Sequence, residues 1–320
     1  MEAVKKVPEG TGVETEDEVR ARLKTHLAQP GASQARVARA IGMTGSAVSQ
    51  WLGDKYQGDN ATVSQRIASY LALDGQRVEA PKGAGFVQTA VAKDVHTVCQ
   101  YSHVNRDIGL VYGEAGMGKT YALREYQRAH PDTILLRCNP SWKTPQAMLE
   151  AVLLEVGRKV RGMNALHRHI RELVGALEET GRLVILDEAQ FLGTRSLEVV
   201  RTLHDEAEVG IVLSGNLDVY SQMHGEGMAS FAQLFSRVGI RRQILLGAPR
   251  EDVERIATAI TSGIDEDALT FLVEKTHERG GVRRMVKILT LGSEVAGGAT
   301  AQIQRAHLVA AERMLIGGRA

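Results

Sequence analysis

An apolar run, Ile108-Gly-Leu-Val-Tyr112, leads directly into a glycine-rich loop and then into a helical pattern, YALREYQRAH. Few folds accommodate that order. A continuous apolar run of this length reads as a strand buried on both faces, and such strands belong to parallel sheets covered by helices. The theme repeats at TILLRC (133–138), LVILD (183–187), GIVLSG (210–215) and QILL (243–246), with helical segments between. The expected class is α/β, a parallel sheet with helices on its faces. From about residue 249 the strand signal stops. Four segments then carry apolar residues at helical spacing, among them EDVERIATAI and VRRMVKILTLGSEVA, and predict an all-helical C-terminal region.

The loop after the first strand reads Gly113-Glu114-Ala115-Gly116-Met117-Gly118-Lys119-Thr120, in full agreement with G-x-x-x-x-G-K-[ST]. Its glycines let backbone N–H groups turn inward to cradle phosphate oxygens, and the helix that follows adds positive potential. Lys119 is expected at the β- and γ-phosphates and Thr120 on Mg²⁺. The run Leu183–Leu186 ends in Asp187-Glu188. Carboxylates at a strand's C-terminal edge suit two tasks: Asp187 holding Mg²⁺, and Glu188 orienting and activating a water. Asn216, after the fourth run, is a candidate for holding that water or the γ-phosphate, though Gly215-Asn216 is also an ordinary turn pair. Two arginine positions stand out. Arg237, on an expected helix end before the last strand, is a candidate arginine finger reaching a neighbouring subunit's nucleotide, with Arg241 and Arg242 as rivals. Arg283 opens a C-terminal helix after Gly280-Gly281 and is a candidate to fold over the γ-phosphate, with Arg284 beside it. The combination predicts ATP binding and hydrolysis.

The N-terminal third has another character. Residues 1–14 mix Gly, Pro and charge without period and read as a tail; 74–88, with Pro81, Gly83 and Gly85, read as a linker. Between them, Gln34–Leu52 fits a helix-turn-helix: small Ala38 where helices cross, Gly42 at the turn, and Val37, Ile41, Met43, Val48 and Trp51 at buried positions. Ser46, Ser49 and Gln50 fall on the exposed face of the second helix, where they can meet phosphates or bases. That helix has no Arg or Lys, so weak, salt-sensitive binding is expected. A second DNA candidate is GRKVRGMNALHRHIR (157–171), with Arg158, Lys159, Arg161, Arg168 and Arg171 and no acidic residue; a solvated charged face is the other reading. His167 and His169 are two apart and fall on different helix faces, which argues against a metal pair. Trp142 and Lys143 form a weaker candidate, in which the Trp packs rather than stacks on a base.

Composition sets limits. A formal net charge of +1 means any basic surface is local, and two cysteines, Cys99 and Cys138, supply no disulfide framework. The first residues lack an apolar signal core and no stretch reaches the length of a membrane span, so a cytoplasmic chain with no membrane partner is expected.

The order of these motifs over about residues 89–312 resembles the AAA+ ATPases. Segments over nearly the whole chain, such as GDKYQGDNATVSQ (53–65), LVILDEAQFLG (183–193) and FAQLFSRV (231–238), are similar to the B transposition proteins of Mu-like phages. The resemblance implies an AAA+ P-loop core (89–247) with a helical lid (248–320), preceded by a helix-turn-helix domain (15–73). It also implies an ATP-dependent protein that polymerises as a helical filament on double-stranded DNA, without sequence preference, delivers it to a transposase, and has its ATPase stimulated by both DNA and transposase. A helix-turn-helix transcriptional regulator with an ATP switch and a helicase loader are the competing readings of the same motifs.

Overall fold

The computed structural model describes residues 14–29, 32–79, 85–158, 166–224, 234 and 236–316. The chain divides into two compact units, residues 1–82 and 83–320.

The first unit is all helical: α1 (Glu16–Leu27), α2 (Gln34–Ala40), α3 (Gly45–Leu52) and α4 (Asn60–Glu79). Each start is capped by a side-chain oxygen: Thr15, Ser33, Thr44 and Asp59 each accept a backbone N–H two or three residues into the helix. Val37, Ala38, Val48 and Trp51 are buried in one core with Leu23 and Ile67. Gly42, between α2 and α3, has φ +70°, the left-handed conformation that a glycine adopts without strain. Arg20 on α1 donates to the Trp51 carbonyl at 3.1 Å and lies 5.0 Å over its indole, fastening α1 to the end of α3. Helix α4 runs through Asp74 and Gly75 to Glu79, so the segment expected to be linker from residue 74 begins as helix. A single internal glycine costs a helix only about 1 kcal/mol, and the next proline after the helix begins comes at residue 81.

The second unit holds a five-stranded, wholly parallel sheet in the order β2-β3-β4-β1-β5. Its elements are α5 (Ala90–Asn105), β1 (Ile108–Gly113), α6 (Lys119–Ala129), β2 (Ile134–Arg137), α7 (Pro145–Glu155), α8 (Leu166–Leu177), β3 (Leu183–Asp187), α9 (Thr194–Ala207), β4 (Gly210–Gly215), α10 (Leu217–His224) and β5 (Val238–Ile244). Strands β1, β3 and β4 are buried along their whole lengths, as continuous apolar runs require. The last strand starts five residues earlier than the run QILL suggests. It is an edge strand whose Arg241, Arg242 and Gln243 are exposed, and charge on an edge discourages pairing with other chains while hiding the apolar signal.

The C-terminal region packs α11 (Arg250–Ile260), α12 (Glu266–Thr276), α13 (Gly281–Ala296) and α14 (Arg305–Ile316) around Leu272, Met285, Ile288 and Leu308. It is not purely helical: β6 (Gly263–Ile264) and β7 (Gln302–Ile303) pair in parallel. Buried Asp252 on α11 accepts the Ala90 N–H at 2.6 Å, and Arg255 donates to the Gln88 carbonyl at 3.2 Å. These bonds tie the lid to the strap leading into α5.

Both cysteines are buried and free. Burial pushes the Cys138 thiol up to about 12 and Cys99 higher still, so both behave as small apolar groups. Among the described residues, no helix is long and apolar enough to cross a membrane.

Candidate nucleotide site

The parallel order sends the C-terminal ends of β1, β3 and β4 to one edge of the sheet, where open α/β sheets take their ligands. A cavity of ≈ 600 Å³ lies there, lined by the loop after β1, the ends of β3 and β4, the strap around Phe86 and the face of α13 carrying Arg283.

The loop has the backbone that phosphate binding demands. Gly113 has φ +130°, and a Cβ there would stand 2.0 Å from the Ile244 carbonyl oxygen on β5. Gly116 has φ +87°, and a Cβ there would stand 2.2 Å from the Gly280 carbonyl oxygen at the mouth of α13. The Arg283 N–H donates to the Gly116 carbonyl at 2.8 Å, so lid and loop meet backbone to backbone. The Lys119 ammonium donates to the carbonyls of Gly113 at 2.9 Å and Glu114 at 2.7 Å. Burial pulls its pKa down, while Asp187, Glu188 and Glu114 work against that shift.

Thr120 Oγ1 donates to Asp187 Oδ2 at 2.7 Å, and Ser214 Oγ donates to Asp187 Oδ1 at 2.9 Å. Asp187 is 3% exposed, and both its oxygens are directed by hydroxyls from neighbouring elements. A hydroxyl and a carboxylate at the phosphate end form a hard oxygen donor set, which fits Mg²⁺ held jointly by protein and substrate phosphates.

Glu188 follows with φ +57°, a left-handed conformation unusual for a residue with a side chain. Arg137, at the end of β2, donates to its Oε1 at 3.2 Å, and Gln190 donates to its Oε2 at 2.6 Å. Asn216 lines the cavity too. Its side chain also begins α10, accepting the Asp218 N–H at 2.9 Å and donating to the Asp218 carboxylate at 2.8 Å, so the turn function and the cavity position coexist.

The two candidates on the lid separate cleanly. Arg283 faces the cavity. Arg284, one residue around the helix, is held by Glu278 at 2.8 Å and Glu312 at 2.6 Å. Arg237 is not brought to its own chain's cavity. It occupies the turn between helical Leu234 and β5, its N–H donating to the Leu234 carbonyl at 3.0 Å and its Nε to Asp205 at 2.6 Å. Arg241 and Arg242 lie on β5 itself, Arg242 3.5 Å from Asp94.

The far end of the cavity is apolar, with Phe86, Val87, Ile256, Val282 and Val286. Phe86 packs against Tyr121 (ring centroids 5.9 Å apart) and His96 (5.7 Å). This chemistry suits a nucleobase. Sequence reading missed Phe86, Tyr121, Arg137, Gln190 and Ser214. The only sequence hint was position: Tyr121 follows the loop directly and Gln190 follows Asp187-Glu188 by two.

Of the DNA candidates, Ser46, Ser49 and Gln50 are exposed on α3, Arg158 is exposed just after α7, and Arg168 and Arg171 are exposed on α8; Lys159 and Arg161 lie outside the described residues. His169 is buried against Gln146 and His167 is exposed beside Arg171, so the two do not converge. Trp142 is 7% exposed and packs in the sheet core.

Residues 102–223 match the family model described as AAA domain. The Mu-like prophage FluMu DNA transposition protein B of Haemophilus influenzae is 32% identical over 270 residues, 82% of this chain and 92% of that protein. The ATP-dependent target DNA activator B of Escherichia phage Mu is 32% identical over 301 residues, 93% of this chain and 95% of that protein. Among solved structures, the Thermotoga maritima RuvB Holliday junction branch migration motor aligns with a TM-score of 0.47 at 14% identity, over 70% of this chain and 68% of that one. With its P-loop, its Asp-Glu strand end and relatives matched over nearly their whole length, the chain is an AAA+ ATPase and belongs to the family of the Mu-type transposition B proteins.

Proposed function

We propose that this chain is an ATP-dependent target-DNA activator that assembles on double-stranded DNA and presents it to a transposase. The observation that carries the reading is the gathering of Lys119, Thr120, Asp187, Glu188, Asn216 and Arg283 around one cavity, in a chain whose relatives are named for ATP-dependent target activation. Those relatives favour neither the transcriptional-regulator nor the helicase-loader reading.

In this proposal the base of ATP enters the apolar end beside Phe86 and Tyr121, and the phosphates lie along Gly113–Thr120. Lys119 and Arg283 neutralise the β- and γ-phosphates. Thr120 and Asp187 would hold Mg²⁺, and the ion would supply further charge neutralisation on the phosphate oxygens. Asn216 positions the attacking water. Glu188 takes a proton from that water as its oxygen bonds to the γ-phosphorus and the bond to the bridging oxygen breaks, leaving ADP. For Glu188 to do so, its carboxylate must be presented to water rather than shared with Arg137.

Arg237 serves the neighbouring subunit. Its position outside its own cavity is what a finger acting in trans requires, and its ion pair with Asp205 gives way on assembly. ATP thereby joins subunits into a helical filament, with Arg158, Lys159, Arg161 and Arg168 following DNA phosphates and α3 adding contacts through Ser46, Ser49 and Gln50. Hydrolysis releases the DNA.

Electron microscopy with long duplex DNA tests the reading. Ordered, sequence-independent polymers are expected with ATP and Mg²⁺ and none with ADP. A discrete footprint at one sequence, indifferent to ATP, would overturn it.

A further inference from the structure

Among the described residues, two donors grip Glu188, and they differ in standing. Arg137 is 65% exposed and reaches its carboxylate from the end of an edge strand. Gln190 is half-buried in the tight turn 189–191 that follows β3. Its Nε2 donates to Glu188 Oε2 at 2.6 Å, while its Oε1 accepts the Asn216 backbone N–H at 3.3 Å.

An amide has a donor at one corner and an acceptor at the other. Reversed, Gln190 would set its oxygen against a carboxylate and its NH₂ against an N–H. Its two neighbours therefore fix it in one orientation. The fit on the β4 side is close: a Cβ on Gly215 would stand 2.4 Å from Gln190 Oε1. The same amide thus joins the end of β3, which carries Glu188, to the end of β4, which carries Asn216.

We propose that Gln190 is a positioning residue for ATP hydrolysis. It aims the Glu188 carboxylate and links that aim to the end of β4 that positions the attacking water. Without the amide, a carboxylate on a short left-handed turn keeps its reach but loses its direction. The inference rests on the reading of Glu188 as the base.

The test uses the full-length protein and three measurements: steady-state ATP hydrolysis, equilibrium binding of a fluorescent ATP analogue, and thermal melting. Gln190→Met keeps length and removes both polar ends. Its kcat should fall about 10- to 100-fold, the scale of a misplaced catalytic group, with KM and analogue affinity within about twofold of wild type. If Gln190 acts through Glu188, the double variant E188Q/Q190M should be no slower than E188Q. Should Gln190→Met melt early, Gln190→Glu keeps shape and acceptor, removes the donor, and should show the same fall.

A folded Q190M or Q190E with wild-type kcat overturns the proposal. So does a double variant slower than E188Q by the full single-variant factor, which would make Gln190 structural. A slow E188Q with a fast Q190M defeats the positioning role alone, whereas a wild-type rate for E188Q defeats the reading of Glu188 and this inference with it.

Discussion

The nucleotide cavity and the surface of α2 and α3 are both candidate binding sites, yet they are built on opposite plans. In the cavity each functional group is directed by another. Thr120 and Ser214 aim Asp187, Gln190 and Arg137 hold Glu188, and the Arg283 backbone is bonded to the loop it serves. On α3, Val48 and Trp51 are fully buried while Ser46, Ser49 and Gln50 face outward. Chemistry on a phosphorus atom needs fixed geometry. Binding along a charged polymer without regard to sequence needs only donors and cations that reach outward, and rigidity there adds little.

If that contrast holds, the largest effect comes from the half-buried cation of the phosphate loop. Lys119→Ala leaves Gly113–Thr120 without the ammonium that bonds its Gly113 and Glu114 carbonyls. ATP affinity, measured by titration calorimetry, should fall at least about 100-fold, as for loss of a charged partner in a site that excludes water. ATP-dependent DNA binding should fall with it. Retained DNA binding in this variant would break the comparison, because the outer surface would then work without the inner one.

The two regions also differ in how far they can be read in sequence. Gly113–Thr120 is legible because one short loop carries its own geometry, and Leu183–Glu188 because an apolar strand delivers its carboxylates to the sheet edge. Ser214, Gln190 and Arg137 are illegible because their roles arise only when β2, β3 and β4 lie side by side. Residues 238–242 conceal a strand behind two arginines, and Gly75 suggests a linker inside a helix. In both places, local composition gives way to a pairing or a helical continuation that spacing alone does not encode.

Arg283 and Arg284 sharpen the contrast within a single helix turn. Adjacent in sequence, they point about 100° apart around α13. One faces the cavity and the other an acidic pair, Glu278 and Glu312. Arg283→Ala should reduce kcat/KM for ATP about tenfold or more with little change in melting temperature. Arg284→Ala should spare turnover and lower stability by roughly 1 kcal/mol or less, given that its partners are partly solvated. Denaturant melts and ATPase assays on both variants check this. Exchanged phenotypes would mean that the lid turns about its axis when nucleotide binds.

The smallest effect is expected at the basic segment 157–171, the other DNA candidate, and it should appear in salt dependence more than in affinity at a single condition. Arg158, Lys159 and Arg161 fall within four positions of the sequence, in a segment that has no acidic residue. Each phosphate contact contributes about 0.9 to the slope of log affinity against log salt concentration. Neutralising all three to Gln should therefore flatten that slope by about 2 to 3 if each meets a phosphate, and ATP turnover without DNA should not change. The binding isotherms should be taken at several salt concentrations with ATP present throughout. An unaltered slope assigns these cations to solvent and leaves α2 and α3 to carry the DNA. A changed basal ATPase would show that the two regions are coupled even without DNA, and that the separation between a directed site and an open surface is less complete than their side chains indicate.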